Sequence, residues 1–416
     1  MARAELQSTA ALKATMAAHF ESLRQAVGER HAPIAWCTSV GPVEILRALG
    51  FRVFFPENHG AMLGAARKAN DTMPRAHALG YSPDICSYLT SDIGAYLSRE
   101  TPLAAFGFAT VPRADVLVFN TNQCRDVRDW FEFYGREWNV PVLGVRSPRS
   151  LERVTDGDVD AVAWQLEAMV EPLEGIAGRR LDAGALETRV RLSRECSDLW
   201  KACLESATHR PAPITFFDAA IHMGPAVVLR GAPEAPAYYR VLLAELEARV
   251  QAGIGAVEGE RFRLYWEGMP IWGKLRMFST LFAELAASVV VSTYCNSWIF
   301  DALDPADPIR SMARASLELF IVGSEEPKER YIREHVTRYG VDGILFHDCR
   351  TCPNNSNARY GMPRRVASAL GVPALVLDGD VNDLRCFSEE QSKTSIEGFI
   401  EQLADFRPAA HGARGR

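Results

Sequence analysis

No run of apolar residues in this sequence approaches the roughly 20 needed to cross a bilayer. The first 30 residues read as a polar-faced helix with Ala and Leu, without the apolar block and small-residue cleavage site of a secretory signal. A cytoplasmic protein is therefore expected, with no membrane partner. Positive charge is not in excess. Lys and Arg number 46 against 52 Asp and Glu, a formal net charge of −6, which argues against nucleic acid as a partner. The G-x-x-x-x-G-K-S/T phosphate loop and the G-x-G-x-x-G dinucleotide fingerprint are both missing, as are H-E-x-x-H and G-x-S-x-G. The common nucleotide, zinc-protease and esterase chemistries thus lack support. Low-complexity segments and short-period repeats are also lacking. Nine scattered cysteines, an odd count, exclude a simple zinc-finger framework.

What is present is an alternation of strands and helices. Apolar stretches near 31–36, 51–55, 114–119 and 140–145 alternate with helical patterns near 41–49, 61–69 and 126–137. The same rhythm returns at 261–266, 289–293, 343–346 and 374–377, with helices near 274–287 and 395–406. Between them lie three long helical patterns, 158–171, 184–206 and 237–251. Alternation of this kind predicts parallel sheets covered by helices. The expected fold is α/β, with two doubly wound, mostly parallel α/β domains and a helical insertion between them. The expected domains are 1–150, 151–256 and 257–416, ending in a disordered tail from 408. The two α/β halves have the look of a remote duplication.

In a reducing compartment the cysteines are left with packing, catalysis or metal ligation. Cys196 and Cys203 lie seven apart on a helical pattern and are expected in the core, as are Cys295 and Cys386. Cys37, Cys124, Cys349 and Cys352 follow predicted strands, where open α/β sheets bind ligands. Cys86 follows Ser82-Pro83-Asp84, a helix-start pattern that would place a thiol among unpaired backbone N–H groups and favour its thiolate. One crevice between two α/β domains would collect three or four thiols, as an iron–sulfur cluster requires. Ordinary core packing is the competing explanation for each cysteine, and Cys349-x-x-Cys352 alone would also serve as a redox or zinc pair. Glu57 and His59 sit at another strand end, where they would serve proton transfer or merely precede a helix capped by Asn58. Ser39, before Gly41-Pro42, has the same ambiguity. The aromatic loop 266–272 would line a pocket for a flat acyl group or pack between domains.

Seven stretches carry a family resemblance: PVEILRALG (42–50), FPENHGAMLGAAR (55–67), GYSPDICSYLTSDIGAYL (80–97), NTNQCRDVRDWF (120–131), LYWEGMPIW (264–272), HDCRTCPNNSNARYGMP (347–363) and DGDVNDLRCFSEEQ (378–391). From about residue 30 to 405 the chain resembles the 2-hydroxyacyl-CoA dehydratase and benzoyl-CoA reductase family, most closely a B-type catalytic subunit of ATP-dependent benzoyl-CoA reductases. The resemblance implies a [4Fe-4S] cluster on Cys86, Cys124 and Cys352, with Cys349 as the alternative third ligand. It implies Ser39 and Glu57 near the acyl thioester, and His59 as a further proton donor. It also implies an aromatic acyl-CoA substrate, reduced by single electrons to a cyclohexadiene carbonyl-CoA. The implied partners are a homologous second catalytic subunit and an ATP-hydrolysing iron–sulfur activator. ATP is then used by that partner and not by this chain. Arg125, Arg128 and Asp129, just beyond Cys124, mark a surface where such an activator would dock. The same motifs suit a 2-hydroxyacyl-CoA dehydratase subunit, and a non-catalytic electron-transfer or scaffold subunit is the third possibility.

Overall fold

The computed structural model describes residues 5–29 and 32–412. Its first sheet has four strands: β1 (Ile34–Cys37), β2 (Arg52–Phe54), β3 (Val116–Asn120) and β4 (Val142–Val145). They are ordered β2-β1-β3-β4, and every pairing is parallel. The second sheet, β5 (Phe262–Glu267), β6 (Ala287–Ser292), β7 (Gly343–Cys349) and β8 (Ala374–Gly379), is also parallel throughout and ordered β6-β5-β7-β8. The second sheet thus repeats the topology of the first. The central strands are buried at nearly every position, IAWC in β1 and FRLYWE in β5 for example. That is why their sequences run continuously apolar instead of alternating.

Helices α1 (Thr9–Glu29), α2 (Val43–Ala48), α3 (Pro56–Ala65), α4 (Ala69–Ala78), α5 (Ser87–Ser98) and α6 (Asp126–Trp138) accompany the first sheet. The middle holds α7 (Asp156–Ala168), α8 (Val170–Ala177), α9 (Ala183–Glu205), α10 (Phe216–His222), α11 (Gly224–Val228) and α12 (Glu234–Gln251). The second sheet carries α13 (Leu275–Glu284), α14 (Thr293–Asn296), α15 (Pro308–Leu317), α16 (Glu325–Arg338), α17 (Met362–Leu370) and α18 (Glu389–Gly412). Among the described residues no helix is long and apolar enough to cross a membrane.

Three local expectations are corrected. The helix expected from Ser82 begins at Ser87, with Cys86 at its N-cap position. Ser82 Oγ instead accepts the Asp84 N–H at 3.1 Å, closing a turn, and Arg350 draws the Asp84 carboxylate outward at 2.6 Å. Residues 56–60, expected as a loop, are the first turns of α3. Pro56 takes the first helical position, where its missing N–H costs nothing. The last helix runs to Gly412, past the expected start of a disordered tail at 408. Residues 413–416 lie outside the described residues, as do His31 of the first expected strand and Met1–Ala4 of the N-terminal helix pattern.

The two halves meet through specific contacts. Asn382 Nδ2 donates to the Gly60 carbonyl at 2.8 Å. A Cβ on Gly64 would lie 2.0 Å from Asn382 Oδ1, so α3 approaches the β8 loop only because that position is glycine. Leu151, after β4, pairs with Gly323 in an isolated parallel bridge.

Candidate active site

The segments after β1, β2, β3, β5, β6 and β7 converge on one cavity of about 380 Å³. It is closed from the side by Leu12 and Met16 of α1 and by residues of α10 and α11. Carboxyl ends of parallel strands are where α/β sheets bind ligands, and here two sheets share the cavity.

Cys86, Cys124 and Cys352 all line it. Hydrogen bonds between their loops bring them together. The Cys86 N–H donates to Asp126 Oδ2 at 3.3 Å, tying α5 to the Cys124 loop. The Ser87 N–H donates to Thr351 Oγ1 at 3.1 Å, tying α5 to the Cys352 loop. Asp380, fully buried after β8, secures that second joint. It accepts from Ser87 Oγ at 2.6 Å, from Thr351 N–H at 2.9 Å and from Thr351 Oγ1 at 2.6 Å.

Burial pushes all three thiols up, Cys124 and Cys352 to about 12 and Cys86 well above its ordinary value. This reverses the thiolate-favouring environment expected for Cys86. The helix start does supply backbone N–H groups, but the cavity wall removes water, and desolvation outweighs them. Cys349 does not line the cavity. It is buried at the end of β7, where its Sγ lies 3.5 Å from Asp380 Oδ2. Cys37, Cys196, Cys203 and Cys295 are buried in the core, whereas Cys386 is half-buried beside Arg350 at 3.4 Å.

Glu57 and Ser39 also line the cavity. Glu57 Oε1 accepts from the Ser39 N–H at 3.0 Å and from Gln123 Nε2 at 2.6 Å. Glu57 Oε2 and Ser39 Oγ are buried without a hydrogen-bond partner of normal geometry. Burial raises the Glu57 carboxyl above its ordinary value, partly offset by the hydrogen bond from Ser39 N–H. The Ser39 loop is held from the helical middle of the chain. Arg230 donates to the Ser39 and Gly41 carbonyls at 3.1 and 2.5 Å and pairs with buried Glu44 at 2.9 Å.

His59 is not brought to the cavity. It is fully buried on α3, with Nδ1 2.5 Å from Asp92 Oδ1 and Nε2 2.8 Å from Thr101 Oγ1. Asp92 Oδ2 also accepts from Trp130 Nε1 and Tyr134 OH, at 2.8 and 2.7 Å. The His59 ring thus belongs to a buried network that supports Trp130, a wall residue. The aromatic loop divides between its two expected roles. Met269 and Trp272 line the cavity, while Trp266 is buried and stacks on Phe216 at 5.2 Å.

Further wall residues carry no signal in the sequence. Tyr88, Gln123 and Asn355 stand inside stretches already singled out, but no spacing marks them. Trp130, Tyr294 and Trp298 read as helix or strand-end aromatics of the core. Asn355 Oδ1 and Trp298 Nε1 are buried and unpartnered, like Ser39 Oγ and Glu57 Oε2. Four such atoms on one wall are uncommon outside functional sites.

Among the described residues no three His, Cys, Asp or Glu side chains close around a point as ligands of a single metal ion do. A cuboidal iron–sulfur cluster is wider than one ion and takes thiolates from separate loops. The three loops each present a sulfur donor to the wall, which suits iron–sulfur chemistry over hard cations, and the loops are locked together. These residues fit such a cluster.

The family described as 2-hydroxyglutaryl-CoA dehydratase, D-component, matches residues 38–403. The chain is 28% identical to the (R)-2-hydroxyisocaproyl-CoA dehydratase alpha subunit of Clostridioides difficile, over 92% of this chain and 93% of that protein. It is 28% identical to the B subunit of benzoyl-CoA reductase from Thauera aromatica, over 85% of each. It is 24% identical to the (R)-2-hydroxyglutaryl-CoA dehydratase alpha subunit of Acidaminococcus fermentans, over 92% and 94%. The relatives are thus enzyme subunits acting on CoA thioesters, and both dehydratases and a reductase are among them. Because the family match covers most of the chain and all three thiol loops, the chain belongs to the 2-hydroxyglutaryl-CoA dehydratase D-component family.

Proposed function

We propose that the chain is the cluster-bearing catalytic subunit of a complex that activates an acyl-CoA thioester by single-electron reduction. The observation that carries this is the meeting of three interlocked cysteine loops with Glu57 and Ser39 on one largely apolar cavity. Cys86, Cys124 and Cys352 would hold a [4Fe-4S] cluster, Cys349 being turned towards Asp380. When bound, the cluster would supply electrons singly and at low potential. Glu57 is held by Ser39 N–H and Gln123 through Oε1, with Oε2 buried and outside that pair of hydrogen bonds. Its raised carboxyl would carry a proton to or from the acyl group at Oε2. The apolar walls exclude water from this exchange. In this proposal residues 1–150 and 257–416 form the two walls, and 151–256 acts as a lid that also positions Ser39 through Arg230.

Of the two reactions, dearomatising reduction of an aromatic acyl-CoA, as in a benzoyl-CoA reductase, is supported by the ring-lined wall of Tyr88, Trp130, Trp272 and Tyr294. The second reading, dehydration of a 2-hydroxyacyl-CoA, is favoured by Ser39 Oγ and Glu57 Oε2, which together would receive a leaving hydroxyl. The relatives' alpha and B designations support partner subunits. An activator that spends ATP elsewhere would deliver the electrons.

The test is the anaerobically purified complex offered benzoyl-CoA and a 2-hydroxyacyl-CoA, with products identified by mass. A diene from the first selects the reductase, and an enoyl-CoA from the second selects the dehydratase. Cys86→Ala, Cys124→Ala and Cys352→Ala are each expected to lose iron and activity, whereas Cys196→Ala and Cys203→Ala lower stability alone. A full iron complement in Cys124→Ala would remove the ligand assignment.

A further inference from the structure

We infer that the acyl group received by this cavity is uncharged and apolar, and that thioesters of dicarboxylic acids are rejected. The inference rests on the proposal that the cavity holds the acyl group of a CoA thioester. It comes from the charges on the wall. Among the described lining residues there is no Lys, Arg or His. The acidic side chains Glu57 and Asp126 do line it. The remaining surface is mostly sulfur, aromatic rings and aliphatic groups, Met16, Met62, Met223 and Val227 among them, with a few neutral polar side chains such as Ser39, Gln123 and Asn355.

Two cations stand nearby. Arg149 and Lys328 both act electrostatically on Cys352, but neither lines the cavity. Lys328 is engaged by Asn357 Oδ1 at 3.2 Å and lies over the Phe320 ring at 5.5 Å. A carboxylate carried into the cavity on an acyl chain would lose its water and find no cation on the wall. It would also share the space with the Asp126 carboxylate. A buried charge without a partner is strongly disfavoured, whereas a phenyl or branched alkyl group loses nothing and gains contact with the wall. The relatives do not decide the point by name, since one acts on a hydroxyglutaryl thioester and another on a hydroxyisocaproyl thioester.

The experiment is a competition binding assay on the intact wild-type chain at pH 7.5, with CoA, isocaproyl-CoA, benzoyl-CoA, glutaryl-CoA and the methyl ester of glutaryl-CoA. The last pair separates charge from chain length. Glutaryl-CoA is expected to bind at least tenfold more weakly than its methyl ester, and isocaproyl-CoA and benzoyl-CoA at least as tightly as the ester. Equal or tighter binding of the free acid overturns the inference while leaving the proposed function standing. Failure of every thioester to bind better than CoA alone overturns the proposed function, and this inference with it.

Discussion

At the scale of single residues, burial decides chemistry more than local sequence does. Glu267 shows it most clearly. It ends β5 fully buried, with Oε1 accepting from Asn357 Nδ2 at 2.6 Å and Oε2 unpartnered. Burial raises its carboxyl to about 7, against the weaker opposing effects of Asn357 and Lys328. The native state therefore holds a proton that the unfolded chain releases near its ordinary value of 4.5. The stability this proton contributes is complete below that value and is lost as pH rises through about 7. A shift of this size is worth about 3 kcal/mol. Glu267→Gln should therefore lose less thermal stability than wild type between pH 5 and pH 8, as followed by calorimetry. Parallel declines would show that Glu267 does not titrate in this window. Glu57 has the same cause behind its raised carboxyl, but it faces the cavity. Glu57→Gln should slow turnover at least tenfold and keep its iron, a loss typical of a missing proton donor. Wild-type turnover in that variant would reduce Glu57 to a structural tie between Ser39 and Gln123.

At the scale of elements, the site depends on how loops are tied. Asp380 gathers donors from β7's loop, from α5 and from its own loop, where Asn382 N–H and Asp383 N–H also point at Oδ1. Replacing one of its oxygens by an amide turns an acceptor into a donor among donors. Each charge-assisted hydrogen bond lost is worth about 1.5–3 kcal/mol. Asp380→Asn should therefore lower Tm by several degrees and make Cys86 and Cys352 react faster with a thiol-modifying reagent, with Cys196 unchanged. Unchanged thiol reactivity would show that the Ser87–Thr351 joint holds without Asp380. The same joint explains why local sequence misplaces the start of α5. Ser82-Pro83 is a good local signal, but Cys86 N–H is taken by Asp126 and the Asp84 carboxylate by Arg350. Both partners are distant in sequence.

At the scale of the whole molecule, two sheets of identical strand order set their carboxyl ends on one cavity. This arrangement agrees with an ancient duplication and explains why the cysteine loops come from both halves. Arg125, Arg128 and Asp129 are exposed at the start of α6, immediately after Cys124. Arg128 pairs there with Glu132 at 2.7 Å, a surface contact worth little to stability. Arg128→Glu should leave Tm nearly unchanged yet weaken coupling to an electron-donating activator, with the deficit deepening as ionic strength falls and like charges are less screened. An unaltered rate at every salt concentration would move the docking surface elsewhere. The isolated chain, even with cluster and a strong reductant, is expected to give no multiple turnovers of an acyl-CoA without ATP and partners. Sustained turnover under those conditions would mean that the chain needs no partner.

The sequence by itself determined the two α/β halves and the place of all eight strands within a few residues, and for the central strands the reason is that burial on both faces requires a continuous apolar run. It also placed four cysteines at the carboxyl ends of strands, although Cys37 and Cys349 prove to be the last residues of β1 and β7 and only Cys124 and Cys352 lie in the loops beyond. Tertiary structure decided which side chains face the cavity. Cys349 and Cys352 are three residues apart, yet β7's last buried residue turns one to Asp380 and the following turn brings the other to the wall. His59 and Glu57 are two apart on α3, and helical geometry sends them to different faces, one to Asp92 and one to the cavity. The ionisation of the thiols and carboxyls was decided there too. Dipoles and caps are local and legible in a sequence, whereas loss of water depends on everything that packs around the group.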